Sequence, residues 1–370
     1  MQSTTKLPSV PPDRESANYL QLATSLGILI ATAAFLWWGF LFLRDSQGVN
    51  QLIIGLVAII WGVAGVGLLF FGMNRFIESF SDGIRNIFQP FIFVGPAAII
   101  LIWFLVIPTV RTLYLSFLDA DSIKFVGLQN FVSVFTDRQM LTSFRNNLLW
   151  MIIGTFSCVS LGLFIAVLAD RSRFDRVAKS IIFLPMAISF VGAAVIWRFV
   201  YYYVPAGQPQ IGLLNAIVTA LGGQPQAWVS DFQPFNNLFL IVIMVWLQTG
   251  FAVVILSAAL KGVPDDLLEA GRIDGASEAR IFFRIILPYI QGTLITVTTT
   301  ILIFSLKIFD VIIAMTGGQY GTEVIATNFY RQFFVNRNFG YGSAIAIVLL
   351  IAVIPVMVYN LRQLGKQEAF

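Results

Sequence analysis

The 370-residue chain is 58% hydrophobic and 11% charged, with 35 Phe, 8 Trp, one Cys and no His. A soluble domain carries about 25% charged residues, and a disordered chain cannot hold so many aromatic groups, so both classes are excluded. Lacking His, the chain has no Ser-His or Cys-His nucleophile pair and no histidine metal site. Cys158 stands alone in an apolar run, which forbids an internal disulfide or thiolate cage and reads as a small packing group. The net charge of +4 does not point to nucleic acid, because Lys and Arg sit between apolar runs, as in membrane topology.

In chain order, Met1–Asn18 reads as a polar, proline-containing tail. Eight stretches can then cross about 30 Å of hydrocarbon, which takes roughly 20 helical residues. They are Leu20–Leu43, Leu52–Phe71, Phe91–Val110, Leu148–Leu168, Ile181–Tyr201, Leu238–Leu260, Gly292–Met315 and Tyr341–Tyr359. The first is too long for a signal-peptide core and lacks a small-residue cleavage site, so it reads as a retained anchor. Backbone polar groups in lipid need internal partners, which makes the expected fold an all-α polytopic membrane protein. Between the second and third spans, Phe76, Phe80, Ile84 and Phe88 recur every four residues, as in an amphipathic helix at the membrane surface. A second such segment, 170–183, carries three Arg and one Lys ahead of Ile181-Ile182-Phe183. With the N-terminus inside, the inner segments hold fourteen Lys and Arg against seven outside, which places both termini in the cytoplasm.

Few polar groups fall within the spans. Lys307 and Asp310 are three apart in the seventh, which on one helix face makes them partners. With Ser305 they are candidates to border a solute pathway, or alternatively a structural ion pair. Trp246, Gln248 and Thr249 in the sixth span form a second candidate set, with simple packing as the competing reading. Trp197, Arg198 and Tyr201 to Tyr203 read as an interfacial aromatic belt with a snorkelling Arg. Thr316 to Gly321 is glycine-rich but lacks the Lys of a phosphate loop, so it reads as a helix-ending turn.

One inner loop carries more information. In Lys261–Pro288, Pro264, Asp265 and Asp266 suit a helix start, and Asp274-Gly275 suits a turn. Ser277 or Asp274 can cap a second helix, and Phe282, Phe283 and Ile286 form an apolar face for neighbouring spans. Two short helices with a bend between them make a stiff connector.

This segment resembles a known family. Glu269-Ala270-Gly271, three residues, Gly275, nine residues, then Ile285-Ile286-Leu287-Pro288 reproduces the E-A-A signature spacing of permease subunits of binding-protein-dependent ABC importers. Gly271 stands where Ala is usual. The likeness extends from about Phe91 to Lys366 and is strongest to the sugar-importer branch, near the larger permease of maltose-type transporters. Around Val353–Arg362 it resembles permeases for α-glucosides and related glucosyl solutes. The resemblance implies a tail at 1–19, two extra membrane helices with the amphipathic segment at 20–90, a permease core at 91–365 with its coupling loop at 261–290, and a tail at 366–370. It implies a second permease, an ATPase dimer that binds ATP and Mg, an extracytoplasmic sugar-binding protein and a carbohydrate substrate. Glu269, Ala270, Gly271, Asp274 and Gly275 would couple to the ATPase, and this chain would bind no cofactor itself. The residues themselves disfavour two other classes. An ion-coupled secondary transporter has no use for such a loop, and a membrane transferase needs an acid-base cluster that the sequence lacks.

Overall fold

Every regular element among the described residues is a helix, apart from one isolated bridge between Leu118 and Phe125. The computed structural model describes residues 18–46, 48–170 and 174–367. Residues 1–17 of the tail expected at 1–19, and 368–370 of that expected at 366–370, lie outside them. The chain divides into two units, Met1–Thr109 and Val110–Phe370.

In the first unit, α1 (Tyr19–Asp45) and α2 (Gln51–Ile77) pack against each other as a hairpin. Asn18 caps α1 by accepting from the Gln21 amide at 3.1 Å, and Asn50 caps α2 by accepting from Leu52 at 2.9 Å. Both helices are apolar on all sides, so small residues select the contact face. Ser25, Thr32 and Gly39, seven apart, are the buried positions of α1, and Gly65 and Gly72 are buried on α2. A Cβ at Gly65 would meet Leu36 Cδ2 at 2.4 Å, so the Leu36 side chain sits directly on the glycine of α2. Such approach drives helix association where lipid tails are as apolar as the side chains.

The surface helix expected at 74–89 is not a separate element. α2 continues to Ile77, the chain turns at 78–81, and α3 (Asp82–Leu115) begins. Asn74 Nδ2 donates to Glu78 Oε1 at 2.8 Å and its Oδ1 accepts from Gln89 Nε2 at 3.2 Å, which fastens the turn. The four-residue aromatic spacing thus belongs to two successive helix ends. α3 widens by one turn at Ile102–Val106, where Pro108 has no N–H to offer the Phe104 carbonyl.

The second unit contains α4 (Gln129–Thr136), α5 (Arg138–Asp170), α6 (Asp175–Ala187), α7 (Phe190–Val200), α8 (Leu213–Ala220) and α9 (Asn236–Lys261). Then follow α10 (Asp265–Ile273), α11 (Glu278–Tyr289), α12 (Gln291–Leu306), α13 (Asp310–Met315), α14 (Ile325–Tyr330) and α15 (Phe339–Gln367). Among the described residues six helices are long and apolar enough to cross a membrane, or up to eight if each of two bent pairs, α6 with α7 and α11 with α12, is one span. Seven of the stretches expected from sequence each fall on one of these, whereas Gly292–Met315 covers α12 and runs past its end into α13. The 100° bend between α6 and α7 follows Pro185, and Ser189 restarts the helix by accepting from the Gly192 amide at 3.0 Å.

α9 is the axis of the core. Its Leu240, Ile243, Met244 and Leu256 are fully buried with Trp150 and Cys158 of α5 and Ile301 of α12. α5 reaches α9 through Gly162, where a Cβ would lie 2.4 Å from that of Ala252. Trp197 and Tyr201 also belong to this core rather than to an interfacial belt. Tyr201 is buried and its hydroxyl donates to the Phe239 carbonyl at 2.9 Å, while Tyr202 and Tyr203 are exposed.

Helix ends inside the unit are held by asparagines. Asn147 Nδ2 donates to the Leu306 carbonyl at 2.9 Å, and its Oδ1 accepts from the Ile325 amide at 2.8 Å. It therefore closes the end of α12 and the start of α14 together. Asn146 Nδ2 reaches the carbonyls of Gly321 and Glu323, each at 2.7 Å, and Asn236 Nδ2 reaches Tyr320 at 2.7 Å. These bonds fix the glycine-rich 316–321 segment, in which Gly317, Gly318 and Gly321 take positive φ as a helix-ending turn requires. Leu at position 147 would strand a buried carbonyl and a buried amide, each worth about 1–3 kcal/mol. Asn147→Leu is expected to lower the thermal unfolding midpoint of the detergent-purified protein clearly, whereas Phe135→Leu, at an exposed site, is expected to leave it nearly unchanged.

Candidate functional site: a coupling hairpin and a small cavity

α9 ends at Lys261, and Gly262 and Val263 lead to Pro264, the residue before α10. Asp265 and Asp266 occupy the first turn of α10, where their charge meets the positive helix end. The helix closes on glycine. The Ala276 amide donates to the Gly271 carbonyl at 3.0 Å and the Gly275 amide to that of Arg272 at 3.0 Å, the paired bonds of a Schellman motif. Gly275 has φ of +74°, which a residue with a Cβ adopts only under strain. Ser277 then accepts from the Arg280 amide at 3.4 Å to start α11. Across the bend, Arg272 Nε donates to Glu278 Oε1 at 2.9 Å. That hydrogen bond holds the guanidinium pKa above its ordinary value.

Glu269, Ala270, Asp274 and Gly275 are exposed, and Gly271 is half-buried on the inner side. A Cβ at Gly271 would stand 2.9 Å from Ile285 Cδ1 and 3.4 Å from Ile281 Cγ1. The hairpin is seated by Ile281, which is buried, with Phe282 half-buried. Phe283, expected in that seat, is 65% exposed, because a helical turn carries it away from Ile281. Between the hairpin and the ends of α5 and α9 lies a cleft of about 400 Å³, with Val263, Leu268 and Ile281 in its apolar lining.

Two apolar residues on the outer face were not anticipated. Leu267 is 44% exposed and Ile273 is 86% exposed. With Ala270 between them they lie three residues apart, a bare stripe on an otherwise charged helix. That spacing was available in the sequence.

The pathway candidates separate on the structure. Gln248 lines a cavity of about 140 Å³ with Met186, Ile188, Phe190, Leu247 and Phe304, and supplies the amide among apolar walls. Thr249, next to it, donates to the Val245 carbonyl at 2.6 Å. Trp246 packs edge-on against Trp197 with centroids 5.9 Å apart. Ser305 is buried between helices, donating to the Ile301 carbonyl at 3.0 Å, and lies 3.3 Å from the Thr155 hydroxyl. Lys307 and Asp310 do not share a helix face. α12 stops at Leu306 and α13 starts at Asp310, both side chains are exposed, and among the described residues no ion pair joins them. The break, closed by Asn147, replaces the continuous span expected there.

Comparison with known proteins fits this geometry. The family of binding-protein-dependent transport system inner membrane components matches residues 158–364. The chain belongs to that family. It is 56% identical over 276 residues to the osmoprotective compounds uptake permease protein GgtC of Synechocystis sp., covering 75% of this chain and 99% of the relative. It is 43% identical over 334 residues to the alpha-glucoside transport system permease protein AglF of Rhizobium meliloti, covering 86% and 99%. Its fold is shared with a chain of a solved bacterial ABC transporter that imports the acidic polysaccharide alginate, with a TM-score of 0.65 and 22% identity over 76% of this chain and 97% of that one. The family expected from Glu269 to Pro288 is the one found. The protein is a multi-pass permease subunit, a transport component rather than an enzyme.

The two glycines of the permease's hairpin make opposite predictions. Gly275→Ala places a Cβ at positive φ and costs about 1–2 kcal/mol. Gly271→Ala gains up to about 1 kcal/mol of helix propensity, and the Ile285 methyl it meets can turn away. Amide hydrogen exchange at Gly275 and Ala276 is expected to quicken in the first variant and slow in the second.

Proposed function

We propose that this permease forms the solute pathway of an ATP-driven carbohydrate importer, of the oligosaccharide or glucoside kind, together with a second permease. An extracytoplasmic binding protein delivers the solute. ATP and Mg are held by a partner ATPase dimer, which docks on α10. The single observation that carries this reading is the α10–α11 hairpin. It is stiffened by the bonds at Gly271 to Ala276, seated by Ile281, and bare along Leu267, Ala270 and Ile273. A flexible loop would absorb a push, whereas a helix seated on a core transmits it. Glu269 and Asp274 supply exposed charge beside the apolar stripe, and Gly271 keeps the inner face narrow. ATPase closure would draw the hairpin and shift the helices between two states. The charge distribution supports a cytoplasmic hairpin and cytoplasmic termini, since the inner segments carry twice as many Lys and Arg as the outer ones.

The names of the relatives support the substrate class, one acting on α-glucosides and one on osmoprotective compounds. A sugar presents hydroxyls and apolar ring faces, and the cavity offers the Gln248 amide beside Phe190 and Phe304. Lys307 and Asp310, exposed at the helix break, are further candidate contacts.

The test is uptake by vesicles holding the whole importer, with a panel of α-glucosides and other sugars presented on the binding protein. Uptake that requires ATP and not an ion gradient supports the reading, and uptake that survives loss of the ATPase sinks it. Gln248→Ala removes one hydrogen-bonding partner, about 1–3 kcal/mol when left unmatched, so the half-saturating solute level should rise about tenfold. Lys307→Ala with unchanged uptake would remove that residue from the pathway.

A further inference from the structure

The coupling cleft and the Gln248 cavity have no lining residue in common, yet α6 is tied to both. At the start of α6, Asp175 accepts from Lys261 Nζ at 2.8 Å. Lys179, one turn on, pairs with Asp170 and with Asp175 and also meets the Ser257 hydroxyl. Ser257 in turn donates to Asp170 Oδ1 at 2.7 Å. Two carboxylates, two amines and a hydroxyl therefore join the end of α5, the start of α6 and the end of α9. The side chains of Lys179, Asp170 and Asp175 are no more than 20% exposed, so solvent screens them less than a surface pair.

Farther along, α6 touches α9 backbone to backbone. A Cβ at Gly250 would meet the Ile182 carbonyl oxygen at 2.6 Å and Phe183 Cα at 2.8 Å. Beyond this contact the chain bends at Pro185, and Met186, Ile188 and Phe190 supply half of the cavity wall. Lys261 both lines the coupling cleft and closes α9, immediately before the segment that leads into α10.

We propose that Lys179, with Asp170, Asp175 and Lys261, is a positioning cluster that passes displacement of the α10–α11 hairpin through α6 to the wall of the Gln248 cavity. The proposal rests on the reading of the chain as an ATP-driven importer subunit. A pull on α10 acts first on Lys261, whose ion pair hands it to Asp175, while Lys179 keeps α6 in step with α5. Ionic attraction suits this task. It falls off slowly with distance, whereas dispersion contacts are lost within an ångström, so the cluster stays engaged while helices shift. The close contact at Gly250 then makes α6 and α9 move as one body, and the bend at Pro185 turns that motion onto Met186, Ile188 and Phe190.

The experiment measures solute transported per ATP hydrolysed in vesicles holding the complete importer. The wild-type complex tests the underlying reading separately, since absence of solute-dependent ATP hydrolysis there defeats that reading whatever the cluster does. Lys179→Met is expected to lower the transport ratio at least about threefold, and Lys179→Arg to restore most of it. Asp175→Lys should lower the ratio likewise, and adding Lys261→Asp should recover much of the loss. An assembled Lys179→Met complex that moves as much solute per ATP as wild type overturns the proposal. If that variant does not assemble, Lys261→Ala decides in its place, because Lys261 is 58% exposed and its removal buries no orphan charge. An unchanged ratio in Lys261→Ala overturns the proposal equally.

Discussion

A backbone carbonyl or amide in apolar surroundings must find a partner within the protein, and the second unit is built around the places where its helices fail to provide one. Asn147 joins the end of α12 to the start of α14, Asn146 and Asn236 hold the 316–324 turn, and Asn215 does the same between Tyr202 and Gln226. Each amide offers donors and an acceptor on a short side chain, which suits two strained ends at once. These fixed breaks let a bundle of apolar helices contain the bend near Lys307 without losing its core, and Ser189 restarts the helix after Pro185. The cavity at Gln248 takes half of its wall from Met186, Ile188 and Phe190, which follow Pro185.

Two kinds of close approach complete the arrangement. In the first unit, small residues seven apart let α1 and α2 touch. In the second, Gly162 and Gly250 let α5 and α6 lie directly on α9. The α10–α11 hairpin then continues from α9 with only three residues between them, so its position is inherited from the helix that organises the core.

The eight apolar stretches and the hairpin were legible because both are local properties. A run of hydropathy needs no knowledge of its neighbours, and Asp265, Gly275 and Ser277 act within a turn of where they stand. The break at Lys307 to Phe309 was not legible. It contains neither Pro nor Gly, and its stabilising partner is Asn147, far away in sequence. Tyr201 looked interfacial because its companions Tyr202 and Tyr203 are, yet a helical turn sends it inward to the Phe239 carbonyl. The seating of the hairpin on Ile281 rather than Phe283 depends on the register of α11 against α10. Lys179 and Lys261 were visible only as contributions to a charge bias, since their pairing is set by the folding of α6 beside α9.

The bareness of Ile273 has a consequence for the life of the subunit. At 86% exposure it keeps almost none of the roughly 1.5–3 kcal/mol that a buried isoleucine contributes. In the proposed importer, an ATPase docked on α10 would cover that greasy knob, and the lifetime of each copy would then follow the supply of its mate.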